Sequence, residues 1–306
     1  MINETIKKIL SHYEGENAGV KANLYKLLMT GKLAGTGKLV ILPVDQGFEH
    51  GPDRTFAMNP LSYDPHYHFK LAIDAGLNAF AAPLGMIQAG AETFAGQIPL
   101  ILKMNSNNSL MSENSNTNQA ITASVDDALR LGCSAIGFTI YPASDFSFDM
   151  YEEISAMIED ARSKGIPTVI WSYPRGGSLP KEHETSVDVV SYGAHIACLL
   201  GAHIIKVKPP KSSIFDKKAK EAYEKESVKT STLKERVEII KRACFDGKRI
   251  VIFSGGEVKD DASVLEEVKQ IASGGGFGSI IGRNAFQRKR EDALNLLNKV
   301  VEAYKG

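Results

Sequence analysis

Short apolar runs recur along the chain, separated by longer stretches with helical spacing. The runs cover 38–45, 78–84, 99–105, 135–141, 167–173, 203–208, 249–254 and 278–282. They are apolar throughout rather than alternating, the pattern of strands buried on both faces of a parallel sheet. The spacing predicts helices over 65–76, 86–95, 123–132, 149–164, 185–200, 233–245 and 261–273, and a last helix ending near Ala303. A long charged segment, 209–232, has room for a short helix at 216–226. Before the first strand, Ile6, Ile9, Leu10, Leu24, Leu27 and Leu28 fall at helical spacing, so 2–30 is read as one or two helices broken near Gly15. The two conspicuous polar stretches, 46–52 and 106–118, are read as loops, the second rich in Ser and Asn and expected to be mobile.

Eight strand–helix units in 306 residues predict an α/β protein, a closed (β/α)8 or TIM barrel. The competing arrangement is an open doubly wound sheet, but no GxGxxG follows the first strand. No linker rich in Pro, Gly or Ser divides the chain, so 1–306 is expected to be a single domain with 1–35 as an N-terminal helical extension.

A barrel of this kind carries its site at the C-terminal ends of its strands. The residues there are Asp45, Lys103 with Asn105, Tyr141, Trp171 with Tyr173, Lys206 with Lys208, Ser254 before two glycines, and Arg283 with Asn284. A ring of lysines, tyrosines, a carboxylate and an arginine suits carbonyl chemistry on an anionic substrate. Lys206 stands out because it sits in the apolar run Ala202–Pro209. Burial disfavours an ammonium, and a neutral amine attacks carbonyls to form a Schiff base. The alternative is a strand-end lysine with its head in water. Lys206 and Lys208 are two apart and share a face, as do Trp171 and Tyr173. Each lysine disfavours a second positive charge nearby, which helps free one of them as a nucleophile.

The Ser254-Gly255-Gly256 turn and the Gly282-Arg283-Asn284 turn follow the last two strands, where barrels commonly bind phosphate. Glycines let backbone N–H groups approach phosphate oxygens, and an arginine offers two parallel hydrogen bonds. A metal site is the weaker reading. The seven histidines are scattered, and only Asp45, Glu49 and His50 together resemble a fragment of one.

Composition narrows the classes. Net charge is formally zero, with no basic excess for nucleic acid, and no apolar run is long enough to span a bilayer. The amphipathic N-terminus lacks the pattern of a signal peptide. Cys133, Cys198 and Cys244 match no zinc spacing, and an odd count of cysteines suits a reducing, cytoplasmic setting.

The elements Val44-Asp-Gln-Gly-Phe-Glu-His-Gly-Pro52, Trp171-Ser-Tyr-Pro-Arg-Gly-Gly177, Ile204-Ile-Lys-Val-Lys208, Phe253-Ser-Gly-Gly256 and Ile281-Gly-Arg-Asn284 resemble those of the archaeal-type (DhnA-like) class I fructose-bisphosphate aldolases, a group also found in bacteria. The resemblance implies a Schiff-base lyase on a TIM barrel that needs neither metal nor cofactor, is a homo-oligomer, and cleaves fructose 1,6-bisphosphate reversibly. By the same resemblance Lys206 is the Schiff-base lysine, Tyr173 the general acid/base, and Asp45 a partner in orientation and proton transfer. Trp171 is a wall of the site, with Lys208 beside it in substrate binding. Ser254, Gly255, Gly256, Gly282 and Arg283 hold a substrate phosphate. The chain departs from the family at Lys208-Pro-Pro-Lys-Ser-Ser213, where many archaeal members have Tyr-Thr-Gly. That leaves open a related aldolase or thiolase acting on another phosphorylated ketose, and a barrel that binds sugar phosphate without chemistry.

Overall fold

The computed structural model describes residues 3–110, 117–255 and 259–306. The apolar runs form strands β1 (Leu39–Pro43), β2 (Ala79–Pro83), β3 (Leu100–Lys103), β4 (Ala135–Ile140), β5 (Thr168–Ser172), β6 (Ile204–Val207), β7 (Ile250–Ser254) and β8 (Gly278–Ile280). Every neighbouring pair is parallel, and β1 pairs with both β2 and β8, which closes the barrel. The strands are buried on both faces, the physical reason they carry no polar alternation.

Two apolar cores result. One lies between the strands and the outer helices. The other fills the barrel interior with inward residues such as Ile41, Ile101, Val169, Trp171, Ile204 and Ile252. Helices α1 (Glu4–Ser11) and α2 (Ala18–Leu28) add Ile6, Ile9, Val20, Leu24 and Leu27 to this inner core. They therefore close the mouth at the N-terminal ends of the strands. Asn3 and Asn17 cap the two helices, and Gly15 lies in the break between them. Tyr13 ties this plug to the sheet: its hydroxyl donates to the His203 carbonyl at 2.7 Å and accepts from the Ile250 N–H at 3.3 Å.

Most expected elements are present within two or three residues, but three differ. The first polar stretch is not an open loop. It folds into helix α3 (Gln46–His50) and the short helix Pro52–Phe56, joined at Gly51, whose φ of +81° is one that glycine adopts without strain. The second forms an antiparallel pair, Asn105–Ser106 with Ala120–Ile121, at its base; residues 111–116 of that loop lie outside those described. The helix expected over 86–95 is shorter, Leu84–Gln88. The charged segment does contain a helix, Lys217–Lys225. Its first half is bolted to the loop after β5 and to the helix that follows: the Lys211 N–H donates to the Thr185 carbonyl at 2.7 Å, and the carboxylate of Asp188, in the first turn of the helix Val187–Leu199, accepts from the Phe215 and Asp216 N–H groups.

Candidate active site

At the C-terminal ends of the strands lies a cavity of about 690 Å³. Asp45, Tyr173, Lys206, Lys208, Ser254, Gly255, Gly282 and Arg283 all line it. Gly256 lies outside the described residues. Trp171 is in a different place from the wall position that the family resemblance implies. It is 1% exposed and belongs to the barrel interior, paired in register with Lys206 on β6. It does not line the cavity but fills the barrel interior at the level of Lys206. The bulk of the indole is accommodated by Gly137 on β4, where an added Cβ would lie 2.1 Å from the ring.

Lys206 is the inward residue of β6, 6% exposed, and its Nζ sits 4.3 Å from the centre of the Tyr173 ring. Burial brings its ammonium down to about 7, against the pull of Asp45 and Glu49, with Lys208 and Lys103 adding to the decrease. Burial thus outweighs the neighbouring lysine as the cause. A half-neutral amine at neutral pH is a competent nucleophile.

The acidic side comes from the first loop. Asp45 begins α3, makes no capping bond with its side chain, and is 7% exposed. Glu49 follows one helical turn later, so the two carboxylates share a face. Burial, and then Asp45, raises Glu49 well above the ordinary carboxylate range. Lys103, 1% exposed, donates to the backbone and side-chain oxygens of Asn105. Burial lowers its ammonium too, with Asp45 and Glu49 opposing. Sequence reasoning gave Lys103 no role and took Glu49 as part of a loop. The i, i+4 spacing of Asp45 and Glu49 was the available signal, hidden because 46–50 does not read as a helix.

Glycine and arginine turns after β7 and β8 come together as expected. The Asn284 Nδ2 donates to the Gly255 carbonyl at 3.2 Å, and its Oδ1 accepts from the Lys259 N–H at 2.9 Å. At Gly282 a Cβ would stand 2.9 Å from the Pro43 carbonyl, so only glycine lets this turn close onto the end of β1. The Gly255 N–H is engaged with the Ile280 carbonyl at 3.3 Å. Ser254 and Arg283 line the cavity at these turns, and Arg283 has no ion-pair partner among the described residues.

Eight Lys and Arg side chains but four Asp and Glu line the cavity, on a chain whose net charge is zero. This local surplus favours an anionic ligand. Asp45, Glu49 and His50 also line it, but no three His, Cys, Asp or Glu side chains among the described residues converge as metal ligands would.

The sequence pattern of the DeoC/LacD family aldolases matches residues 39–288, the barrel from β1 through the turn after β8. The chain belongs to this aldolase family. Its similarity to the archaeal-type class I branch is close. It is 36% identical over 274 residues to the class 1 fructose-bisphosphate aldolase of Thermoproteus tenax, covering 88% of this chain and 90% of that one. A probable class 1 fructose-bisphosphate aldolase of Chlamydia trachomatis is 34% identical over 300 residues, covering 94% and 85%. A crystal structure of an archaeal fructose 1,6-bisphosphate aldolase superimposes with a TM-score of 0.76 at 34% identity, covering 92% and 98% of the two chains. As a class I aldolase barrel, the chain places a buried lysine on β6 beside a tyrosine on the neighbouring strand's end.

Proposed function

We propose that this aldolase cleaves fructose 1,6-bisphosphate reversibly to dihydroxyacetone phosphate and glyceraldehyde 3-phosphate through a Schiff base on Lys206. The observation that carries the reading is the buried amine of Lys206 within a cavity of surplus positive charge. Neutral Lys206 attacks the C2 ketone, and loss of water gives a protonated imine that draws electrons from the C3–C4 bond. Tyr173 removes the C4 hydroxyl proton, the bond breaks, and the aldehyde leaves. The resulting enamine takes its proton back from Tyr173, and water releases the ketone product and the free amine. Asp45 orients Lys206 and assists its proton transfers. Ser254 and Arg283 hold the phosphate nearest the ketone, with Gly255 and Gly282 giving them room. Lys208 contributes to substrate binding, and Trp171 supports Lys206 from the neighbouring strand.

Borohydride reduction with fructose 1,6-bisphosphate or dihydroxyacetone phosphate in EDTA, followed by peptide mass mapping, tests this. An adduct on Lys206 is expected, and Lys206→Met should lose both adduct and turnover. An adduct on Lys208 moves the nucleophile. No adduct, with EDTA-sensitive cleavage, overturns the mechanism. Trapping with another phosphorylated ketose but not with these two keeps the chemistry and changes the substrate.

The same reading makes 1–306 a single domain, since α1 and α2 share the inner core of the barrel. It also makes the protein a cytoplasmic homo-oligomer. Free, buried Cys133, Cys198 and Cys244 fit a reducing compartment. Phe148, Tyr192 and Leu199, on the helices Ser147–Ser163 and Val187–Leu199, are 78%, 69% and 67% exposed, an apolar surface suited to burial between copies. Light scattering on the eluting protein measures its mass; a monomer would reject the oligomer.

A further inference from the structure

Loss of water from the Lys206 adduct needs a proton for the departing hydroxyl on C2. Tyr173 is committed to the oxygen on C4, and its ring face holds the amine. A second acid in the same cavity would complete the step.

Glu49 is placed for that task. It follows Asp45 by one helical turn, so the two side chains share a face, and both line the cavity with Lys206. The fold holds this turn still. The Ser109 N–H donates to the Glu49 carbonyl at 2.9 Å, and the Thr55 hydroxyl donates to the Gln46 carbonyl at 3.0 Å. A Cβ at Gly47 would stand 3.0 Å from the Phe56 ring, so the turn packs closely on its neighbour. The carboxyl group itself is not tied down. Among the described residues it meets one ion-pair partner, the His50 Nε2 at 3.8 Å, too far for a hydrogen bond.

The other groups that face it are Asp45 on its own turn, Lys103 on β3, Tyr141 after β4, Arg175 after β5 and Lys206 on β6. Burial, then Asp45, raises the Glu49 carboxyl, and the three cations offset only part of this. Tyr141 is raised as well, by burial and then by Glu49, so it stays protonated and adds no charge. Near neutral pH one proton therefore has two comparable homes, the Glu49 carboxyl and the Lys206 amine. The nucleophilic arrangement is the neutral one, amine beside carboxylic acid.

We propose that Glu49 is the acid for the oxygen on C2. When the Lys206 amine adds to the ketone, the N–C2 bond forms and a proton passes from nitrogen to the carbonyl oxygen, giving a hydroxyl. Glu49 protonates that hydroxyl, the C2–O bond breaks, and water leaves as the nitrogen lone pair closes a cationic imine. The Glu49 carboxylate left behind faces this cation. The cavity thus exchanges a neutral pair for an ion pair and gains no net charge, which is the least costly way to form an ion out of water. In the last step water adds to the imine and returns its proton to Glu49. A phosphate dianion in the same cavity makes the carboxyl harder still to ionise, so the acid persists in the complex.

The inference rests on the Schiff-base reading of Lys206, which the wild-type protein tests by itself. Mixed with dihydroxyacetone phosphate and quenched with borohydride at successive times, it should build up an adduct on Lys206; absence of the adduct rejects reading and inference together. The same time course tests Glu49. Glu49→Gln keeps the shape but cannot give up a proton, so the adduct should form about 10²- to 10⁴-fold more slowly and still approach the wild-type yield. Tyr173→Phe should slow turnover while its adduct forms at close to the wild-type rate. Glu49→Ala opens a gap that formic acid can enter, and added formate should restore adduct formation in proportion to its acid form. A role in shape alone would show no such rescue. Adduct formation at the wild-type rate in Glu49→Gln overturns the assignment. So does a Glu49→Ala protein that melts as the wild type does but gains nothing from formate.

Discussion

The Nζ of Lys206 stands 4.3 Å from the centre of the Tyr173 ring, over its π face. The two residues lie at the ends of neighbouring strands, and the Tyr173 N–H is anchored to the Ile140 carbonyl at 3.0 Å. The ring face favours the ammonium, whereas burial favours the amine, and burial prevails. In the proposed mechanism the Tyr173 ring holds the position of the Lys206 amine and its hydroxyl is left for proton transfer.

Tyr173→Phe separates these two tasks, because phenylalanine keeps the face and drops the hydroxyl. Turnover should fall about 10²- to 10⁴-fold, while borohydride trapping at Lys206 continues. Steady-state rates and trapping yields on the same preparation decide it. Near-normal turnover would take the acid/base role away from Tyr173.

The Lys206 ammonium titrates at about 7, so the nucleophilic amine is lost as pH falls below that value. Imine formation should drop about tenfold for each pH unit below the midpoint and level off above it. Initial trapping rates between pH 5 and pH 9 give the profile. A limb centred near the ordinary lysine value would mean that the amine is not desolvated in solution.

Lys206 also makes the fold less stable. Its ammonium is free to form in the unfolded chain up to about pH 10.4 but only below about 7 in the folded one. The unfolded state binds the extra proton between these values, so stability falls as pH is lowered from about 10 to about 7 and the penalty is constant below. Lys206→Met should therefore melt higher than the wild type at pH 7, by about 2–4 °C for each kcal/mol regained, with no difference near pH 11. Calorimetry at the two pH values checks both the sign and the window.

Gly137 leaves the space that Trp171 occupies. Gly137→Ala drives a methyl group into the indole and should cost about 1–3 kcal/mol of stability, the range for overpacking. Because Trp171 pairs in register with Lys206, the displacement should reach the amine and reduce kcat more than it raises KM. Denaturant melts and steady-state kinetics measure the two effects. Wild-type kinetics in a destabilised variant would show that Trp171 does not position the lysine.

The chain announces its barrel because a strand buried on both faces must be apolar throughout, and eight such runs with helices between them have few ways to pack. The strand-end rule then makes Asp45, Tyr173, Lys206, Ser254 and Arg283 neighbours without any coordinates, and all five line one cavity. Trp171 fills the barrel interior instead of lining the cavity, because alternation tells which residues share a face but not which of them the cavity reaches. Glu49 was hidden because the polar residues of α3 carry no helical periodicity; the helix exists because β1 ends beneath it. Arg175 and Glu184 belong to the loop after β5 and Lys208 to the loop after β6, 24 residues from Glu184, and no local pattern encodes their meeting. The depth of Lys206, and with it the charge on its amine, was likewise set by the closure of the barrel. Desolvation depends on everything that surrounds a group in space, and a linear sequence records only its neighbours along the chain.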